Sequence, residues 1–275
     1  MSKFSLRILA ALLILGVAEG ASPSFHFSEM SPGTIRAMQR QGKILFTAGL
    51  KLVLIDRATK ATIWESRGLQ RALCVAAMPN GQYLVCEGKS IARIDGDGKF
   101  VSRASPAFKM TTDVKPLAND RFLVSDGPGG TVAEMDWSGK TTWSVKGLHF
   151  PEEAVRLDNG NTLVADGTAA LKEFDPSGTV VRTTWLKRWV ASVLPLSDGN
   201  TLVGQSSALD LLNSDGHSIW SLDVPSRVTG IQQISSGEYL ICEPDAGRLA
   251  IIDVTGSVLW ELTGLRFPWR AIYIQ

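Results

Sequence analysis

The sequence predicts an all-β fold, a six-bladed β-propeller of four-stranded antiparallel blades. Three observations predict it. A polar turn followed by an aliphatic pair recurs six times, its leucines Leu45, Leu84, Leu123, Leu163, Leu202 and Leu240 standing 39, 39, 40, 39 and 38 residues apart. A second landmark, Asp56, Asp95, Asp136, Asp175, Asn213 or Asp253, follows each leucine by 11 to 13 residues. After the first 20 residues, no segment carries the 3.6-residue apolar period of an amphipathic helix over three turns. Two landmarks sharing one period of about 40 residues describe a repeat of short strands, the pattern of a propeller blade.

Within a repeat, the turn residues divide the chain into four strands. In the fourth copy, residues 153–157 form the first strand, Asn159-Gly160 the turn and 162–165 the second. Residues 170–174 form the third strand, Pro176-Ser177-Gly178 the next turn and 179–185 the fourth. Asn-Gly and Asp-Gly supply the positive φ angles that tight hairpins require. One such sheet cannot bury both faces alone, so successive sheets must pack face to face. The repeats span about 34–67, 71–106, 110–147, 151–188, 190–225 and 228–265 in a single domain over 21–275. A closing strand over 269–275 resembles the first strand after Phe150-Pro151, and Phe25 keeps the offset of an outer strand. Six complete blades with these strands added at the seam is the preferred closure. A seven-bladed ring with one incomplete blade is the alternative, and it leaves edge groups unpaired.

The third and fourth strands resemble a known family. Leu54-Ile55-Asp56 through Thr62-Ile63-Trp64, and Ile251-Ile252-Asp253-Val254-Thr255-Gly256 through Trp260, are similar to the repeat of PQQ-like propellers. Met135-Asp136 through Trp143 and Leu212-Asn213 through Trp220 match with one residue fewer. The resemblance implies that the aspartate and turn pin a hairpin while the tryptophan docks on the next blade. Trp64, Trp143, Trp185, Trp220 and Trp260 are therefore expected to be structural, with Arg103 standing where the second copy lacks its tryptophan. It also implies the cofactor-free type of this family, scaffolds at the bacterial cell envelope. The adjacent cysteine pair of quinone-dependent members is absent.

At the start of the chain, Lys3 and Arg7 precede an apolar run from Ile8 to Ala18, followed by small residues at Gly20 and Ala21. This pattern is that of a signal peptide over 1–20, so a periplasmic or secreted product is expected. The apolar run is too short for a membrane span. Lys and Arg total 28 against 27 Asp and Glu, a balance that argues against nucleic-acid binding. Cys74, Cys86 and Cys242 are too few for a disulfide framework, and buried free thiols are the preferred reading. If Pro79-Asn80-Gly81 closes a hairpin, however, Cys74 and Cys86 face each other, and a cross-strand disulfide is the alternative.

Three residues after each marker leucine stand Ala48, Glu87, Asp126, Asp166, Gln205 and Glu243. They close second strands, so they are expected on the face that carries the inter-blade loops. His149, Glu153, Trp189, Arg227, Trp269 and Arg270 are assigned to the same face. Aromatic and arginine side chains dominate binding hot spots, so this face is the expected binding face for a protein or peptide partner. The leading expectation is a monomeric, non-catalytic binding scaffold without a cofactor. The alternative is a small lactonase-like hydrolase or lyase with a divalent cation such as calcium on Glu87, Asp126, Asp166 and Glu243. Acids at strand ends that merely accept bonds from loop amides are the competing explanation for the ring. Of His26, His149 and His217, only His149 falls on this face, and no nucleophile elbow, paired-histidine zinc motif or phosphate loop is present.

Overall fold

The computed structural model describes residues 41–275; the leader expected over 1–20, the opening of the first repeat at 34–40 and the outer strand expected around Phe25 lie outside them. The first strands in chain order are β1 (Lys43–Ala48), β2 (Lys51–Asp56) and β3 (Thr62–Glu65). The next sheet is β4 (Cys74–Ala77), β5 (Tyr83–Glu87), β6 (Ser90–Ile94) and β7 (Phe100–Ala104). It is followed by β8 (Thr111–Pro116), β9 (Arg121–Asp126), β10 (Thr131–Asp136) and β11 (Thr141–Lys146). Then come β12 (Glu153–Arg156), β13 (Thr162–Asp166), β14 (Ala170–Phe174) and β15 (Val180–Trp185). The fifth set is β16 (Val190–Pro195), β17 (Thr201–Gln205), β18 (Ala208–Leu212) and β19 (Ser218–Asp223). The last are β20 (Gly230–Ser235), β21 (Glu238–Glu243), β22 (Arg248–Asp253), β23 (Val258–Leu262) and β24 (Ala271–Ile274). They form six four-stranded antiparallel sheets, and the described residues contain no helix.

The innermost strands β4, β8, β12, β16, β20 and β24 adjoin one another in a closed circuit, which makes the fold a six-bladed propeller. The seam differs from the expected arrangement. β24 is not a surplus inner strand: it occupies the inner position of the first blade, in the order β24-β1-β2-β3. Its register sets Ala271 against Phe46, Ile272 against Leu45 and Tyr273 against Ile44. The C-terminal strand thus saturates an edge of β1 that would otherwise be open to aggregation. Tyr273 donates its hydroxyl to the Gln41 carbonyl, and Gln232 of β20 accepts from the Tyr273 amide, tying the seam to the preceding blade.

One apolar cluster fills each interface between blades. Leu45, Leu54, Val75, Val85 and Ile94 join the first and second blades, and Ile44, Phe46, Leu240, Leu249 and Ile251 join the sixth to the first. The marker leucines are all buried except the half-buried Leu163. Each therefore serves an interface, which is why the period of the sequence is the period of the ring.

The second landmark caps the hairpin between the third and fourth strands. Asp136 accepts from the Ser138 and Lys140 amides and the Ser138 hydroxyl, and Asp175 repeats this with Ser177 and Thr179. Asp56, Asp95, Asn213 and Asp253 make the corresponding bonds. In Asp136, Asp175 and Asp253 the side-chain bond from Ser or Thr, then the loop amides, hold the carboxyl below its ordinary value; at Asp56 the Thr59 amide leads.

Tryptophans do dock on neighbouring blades, with two corrections. Trp64 donates to the Gly96 carbonyl at 3.1 Å and Trp260 to the Arg57 carbonyl at 2.9 Å, each one blade on. Trp143 packs into the interface of the third and fourth blades beneath the Arg156 guanidinium. Trp220 packs in the cluster between the fifth and sixth blades. Trp185, however, is 69% exposed. The register places Arg182, opposite Glu173, at the docking position of the fourth blade, and Arg182 donates to the Ser214 carbonyl of the fifth. In the second blade the register puts Ser102 at that position, not Arg103, which instead pairs with Glu87 within its own blade. The space is filled from the other side. Trp137 of the third blade stacks under Arg93 at 4.2 Å, and Arg93 reaches Asp120 at 2.7 Å.

The cysteines also depart from the preferred reading. Cys74 and Cys86 are directly opposite in β4 and β5 and form a disulfide, with Cα atoms 4.9 Å apart, while Cys242 is free and buried. The hairpin turn alone brings them together, so the sequence distance of 12 understates their proximity. Burial pushes the Cys242 thiol up to about 12, leaving it unreactive. We expect one titratable thiol in the unfolded, unreduced chain and three after reduction. Replacing Cys74 and Cys86 together by alanine should cost about 2–4 kcal/mol, measured by denaturant unfolding.

Candidate functional site

The ring of strand-end side chains has the structural use that competes with a metal site, the acceptance of bonds from loop amides. Glu87, Asp126, Asp166, Gln205 and Glu243 are all buried, not presented at the channel mouth. Four of them clamp the loop that enters their own blade. Glu87 accepts from the Gln70 amide at 2.9 Å, Asp126 from those of Lys109 and Met110 at 3.0 and 2.9 Å, Asp166 from that of His149 at 2.8 Å, and Gln205 from that of Arg188 at 3.2 Å. The donor lies 16 or 17 residues before the acceptor in every case. In these four blades one acceptor thus satisfies the amide of a loop that has left the sheet ladder. In the same way Glu87 pairs with Arg103, Asp166 with Lys172 and Glu243 with Arg248, each inside one blade. Repeat symmetry spreads these groups around the ring. Among the described residues, no three His, Cys, Asp or Glu side chains gather as a metal site requires.

A different set of charges converges on the axis. Asp113 and Lys115 lie on β8, Glu153 begins β12, Glu152 precedes it, and Arg270 precedes β24. The Arg270 guanidinium stands 3.7 Å from Asp113 and 3.4 Å from Glu153, and Lys115 bridges the same two carboxylates. Glu153 also accepts from the Val193 amide of β16 at 3.1 Å. Four innermost strands or their approaches, from four different blades, therefore meet through one buried cluster. Sequence reasoning assigned Glu153 and Arg270 to an open binding face; with Arg270 only 4% exposed, both belong to this hub instead. It did not identify Asp113 and Lys115. Their signal was charge at alternate positions of a strand that the repeat places at the centre.

Burial is the largest influence on every member. It raises Asp113, while at Glu153 the nearby Arg270 and Lys115 outweigh it and hold the carboxyl low. Glu152 is 2% exposed, and burial raises its carboxyl to about 7 against the pull of Arg270 and Arg227.

The outer surface of the same end carries the exposed groups. Strand order places the loops after second strands and the inter-blade loops together. His149 is exposed there, and Phe150 meets Trp189 edge to face with ring centres 6.1 Å apart. Beside them the loop 127–130 and residues 147–150 line a shallow depression of about 320 Å³. Trp269 is half-buried beneath the Arg227 guanidinium at 4.7 Å, and Arg227 pairs with Asp245 at 2.8 Å. Trp189 is 44% and Phe267 54% exposed. Phe150 and Phe267 hold corresponding places before Pro151 and Pro268, both at positive φ, near 57° and 51°. Such backbone is uncommon for an aromatic residue and persists only where the surroundings hold it. For Phe150 the anchor is adjacent: the His149 amide is bound by Asp166 and the His149 carbonyl by the Gly167 amide.

Six antiparallel blades around a charged hub, with clamped loops gathered at one end, define a β-propeller of the repeat class. The sequence model of the PQQ-type repeat family described as outer membrane protein assembly factor BamB matches residues 87–268, and the chain belongs to that family. No curated protein matches. Among solved structures, a Bacteroides caccae protein of unknown function is similar with a TM-score of 0.73 at 20% identity, covering 86% of this chain and all of that one. The WD40 propeller domain of Doa1 (TM-score 0.64, 12% identity, 83% and 81% covered) and streptogramin B lyase (0.62, 13%, 81% and 79%) share the fold. At these identities the likeness concerns architecture alone.

The hub generates two expectations. Arg270→Ala leaves Asp113 and Glu153 to share Lys115 as their remaining cation, and should cost about 3–5 kcal/mol in denaturant unfolding. Glu152 supplies a pH dependence. Between its ordinary 4.5 and about 7 the folded chain keeps a proton that the unfolded chain has released, so stability falls as pH rises through that window. Glu152→Gln should flatten the decline by up to about 3 kcal/mol, read from unfolding free energies at pH 5 and pH 8.

Proposed function

We propose that the chain is an exported, non-catalytic scaffold that holds a protein or peptide partner on its inter-blade-loop face, in the periplasm or outside the cell. The role calls for neither a cofactor nor a second copy of the chain. The observation that carries this reading is the exposure of Trp189, on a loop clamped by Gln205, and of Phe267, on a loop tied by the Arg270 amide to Thr47 and by the Leu265 amide to the Gly247 carbonyl. Aromatic side chains on a rigid support bind at little entropic cost, because the loop is already ordered. The carboxylates that could otherwise suggest chemistry are committed to loop amides and to cations within their own blades. The family's description as an assembly factor of the outer membrane supports a role in protein association.

Site-directed photo-crosslinking in the intact source cell tests the assignment. A crosslinking residue at Trp189 or Phe267 should trap a discrete protein, and one at Asn80 or Ser197, in hairpins of the opposite end, should not. Crosslinks confined to the opposite end would place the partner on the wrong face.

A further inference from the structure

Charge on this chain is sorted between the two ends of the ring, which the near-zero net charge conceals. Among the described residues, the loops of the inter-blade end carry nine Lys and Arg, of which Arg270 is buried, against two acids, Glu152 and Asp245. The hairpin loops of the opposite end carry seven aspartates against four cations. The separation is sharper once pairing is considered. Glu152 is buried, and Asp245 is taken by Arg227. Among the described residues, exposed Arg67, Arg71, Lys89, Lys109, Lys187 and Arg266 have no carboxylate within ion-pairing distance. At the opposite end, Asp97, Asp158, Asp198 and Asp215 are exposed and likewise free of ion pairs.

The strand-end acids do not offset this polarity. Glu87, Asp126, Asp166 and Glu243, which end second strands at the inter-blade end, are buried and contribute nothing accessible, and exposed Asp223 and Asp245 are paired there with Arg188 and Arg227. Each hairpin between third and fourth strands at the other end uses an aspartate, or Asn213, to cap its turn, and Asp97 and Asp215 add exposed acids in two of them. The molecule therefore presents a basic face studded with single aromatic side chains, and an acidic back.

We infer that the inter-blade-loop face receives an acidic protein or peptide segment that places an apolar side chain in the depression beside Phe150. This rests on the reading of that face as the partner-binding one and adds the chemistry of the partner. The depression has rigid walls, its Gly127–Gly130 wall held to Asp126 by the Gly129 amide and to Leu148 by the Gly130 carbonyl. Lys109 lies at the Pro128 carbonyl on its rim, so a carboxylate next to the inserted side chain meets a cation. A depression of fixed shape with an adjacent charge discriminates between side chains, as a polypeptide partner requires and a fluid lipid surface does not. Complementary charge also orients the encounter, since the acidic back repels the same partner.

The test uses the purified chain and two labelled peptides of equal length, one bearing glutamates around a single phenylalanine and one bearing lysines in their place. The acidic peptide should bind, weaken as salt rises, and lose more than about tenfold in affinity when Lys109, Lys187 and Arg266 are reversed to Glu. Lys60→Glu with Lys99→Glu and Lys140→Glu, on the acidic back, should leave binding unchanged. Thermal melts of both triple variants establish that each is folded. Equal binding of the two peptides, no binding of the acidic one, or retained binding after the first triple reversal overturns the inference. Tighter binding of anionic phospholipid vesicles or duplex DNA than of the acidic peptide overturns it in favour of those surfaces, and head-to-tail self-association in sedimentation overturns it in favour of a second copy. Crosslinking of a protein at Trp189 together with failure of the acidic peptide leaves the face assignment standing and removes only the charge reading.

Discussion

The pairing of β24 with β1 is the constraint on which the ring depends. Five blades are continuous in the chain, and each can assemble from local hairpins; the first blade borrows its inner strand from the far end. That strand follows Arg270, whose guanidinium lies against Asp113 and Glu153 of the third and fourth blades across the axis. Closure thus joins backbone pairing at the rim of one sheet to a buried charge cluster at the hub. Neither is replaceable by packing between adjacent blades, because that packing sets the spacing of neighbours but leaves the ring free to remain open.

Around this closure, repetition handles the rest with small local devices. An aspartate or asparagine caps the outer hairpin, Trp64, Arg182 and Trp260 reach from their blades to a carbonyl of the next, and in four blades a carboxylate or amide at the end of the second strand holds the incoming loop. Where one device is missing, another residue takes its place: Arg182 reaches Ser214 in the absence of a tryptophan, and Trp137 with Arg93 fills the gap left by Ser102. The requirement is that the interface be filled and the stranded carbonyls paired, and several side chains meet it.

These devices also shape the surface. Acids are consumed as clamps at one end and displayed in turns at the other, so a structural economy of hydrogen bonding produces an electrostatic axis. The exposed aromatic side chains Trp189 and Phe267 stand on the basic end. Asp166 and Gln205 hold from below the loops that carry Phe150 and Trp189.

From sequence alone, the six-fold repeat, the four strands of each blade and the capping role of the aspartates were legible, because all are short-range: period, turn chemistry and strand alternation lie within about 40 residues. The recurrence of Glu87, Asp126, Asp166, Gln205 and Glu243 was equally visible, but not whether they faced solvent or a loop amide 16 or 17 residues earlier. Likewise the opposition of Cys74 and Cys86 was evident as geometry, though not as a bond. Only the tertiary structure decided where β24 goes, that Arg270 and Glu153 are hub and not surface, and that a net charge near zero is divided between two ends. These depend on contacts between residues up to 232 positions apart, and distance along the chain carries no record of which side of a ring a loop will occupy.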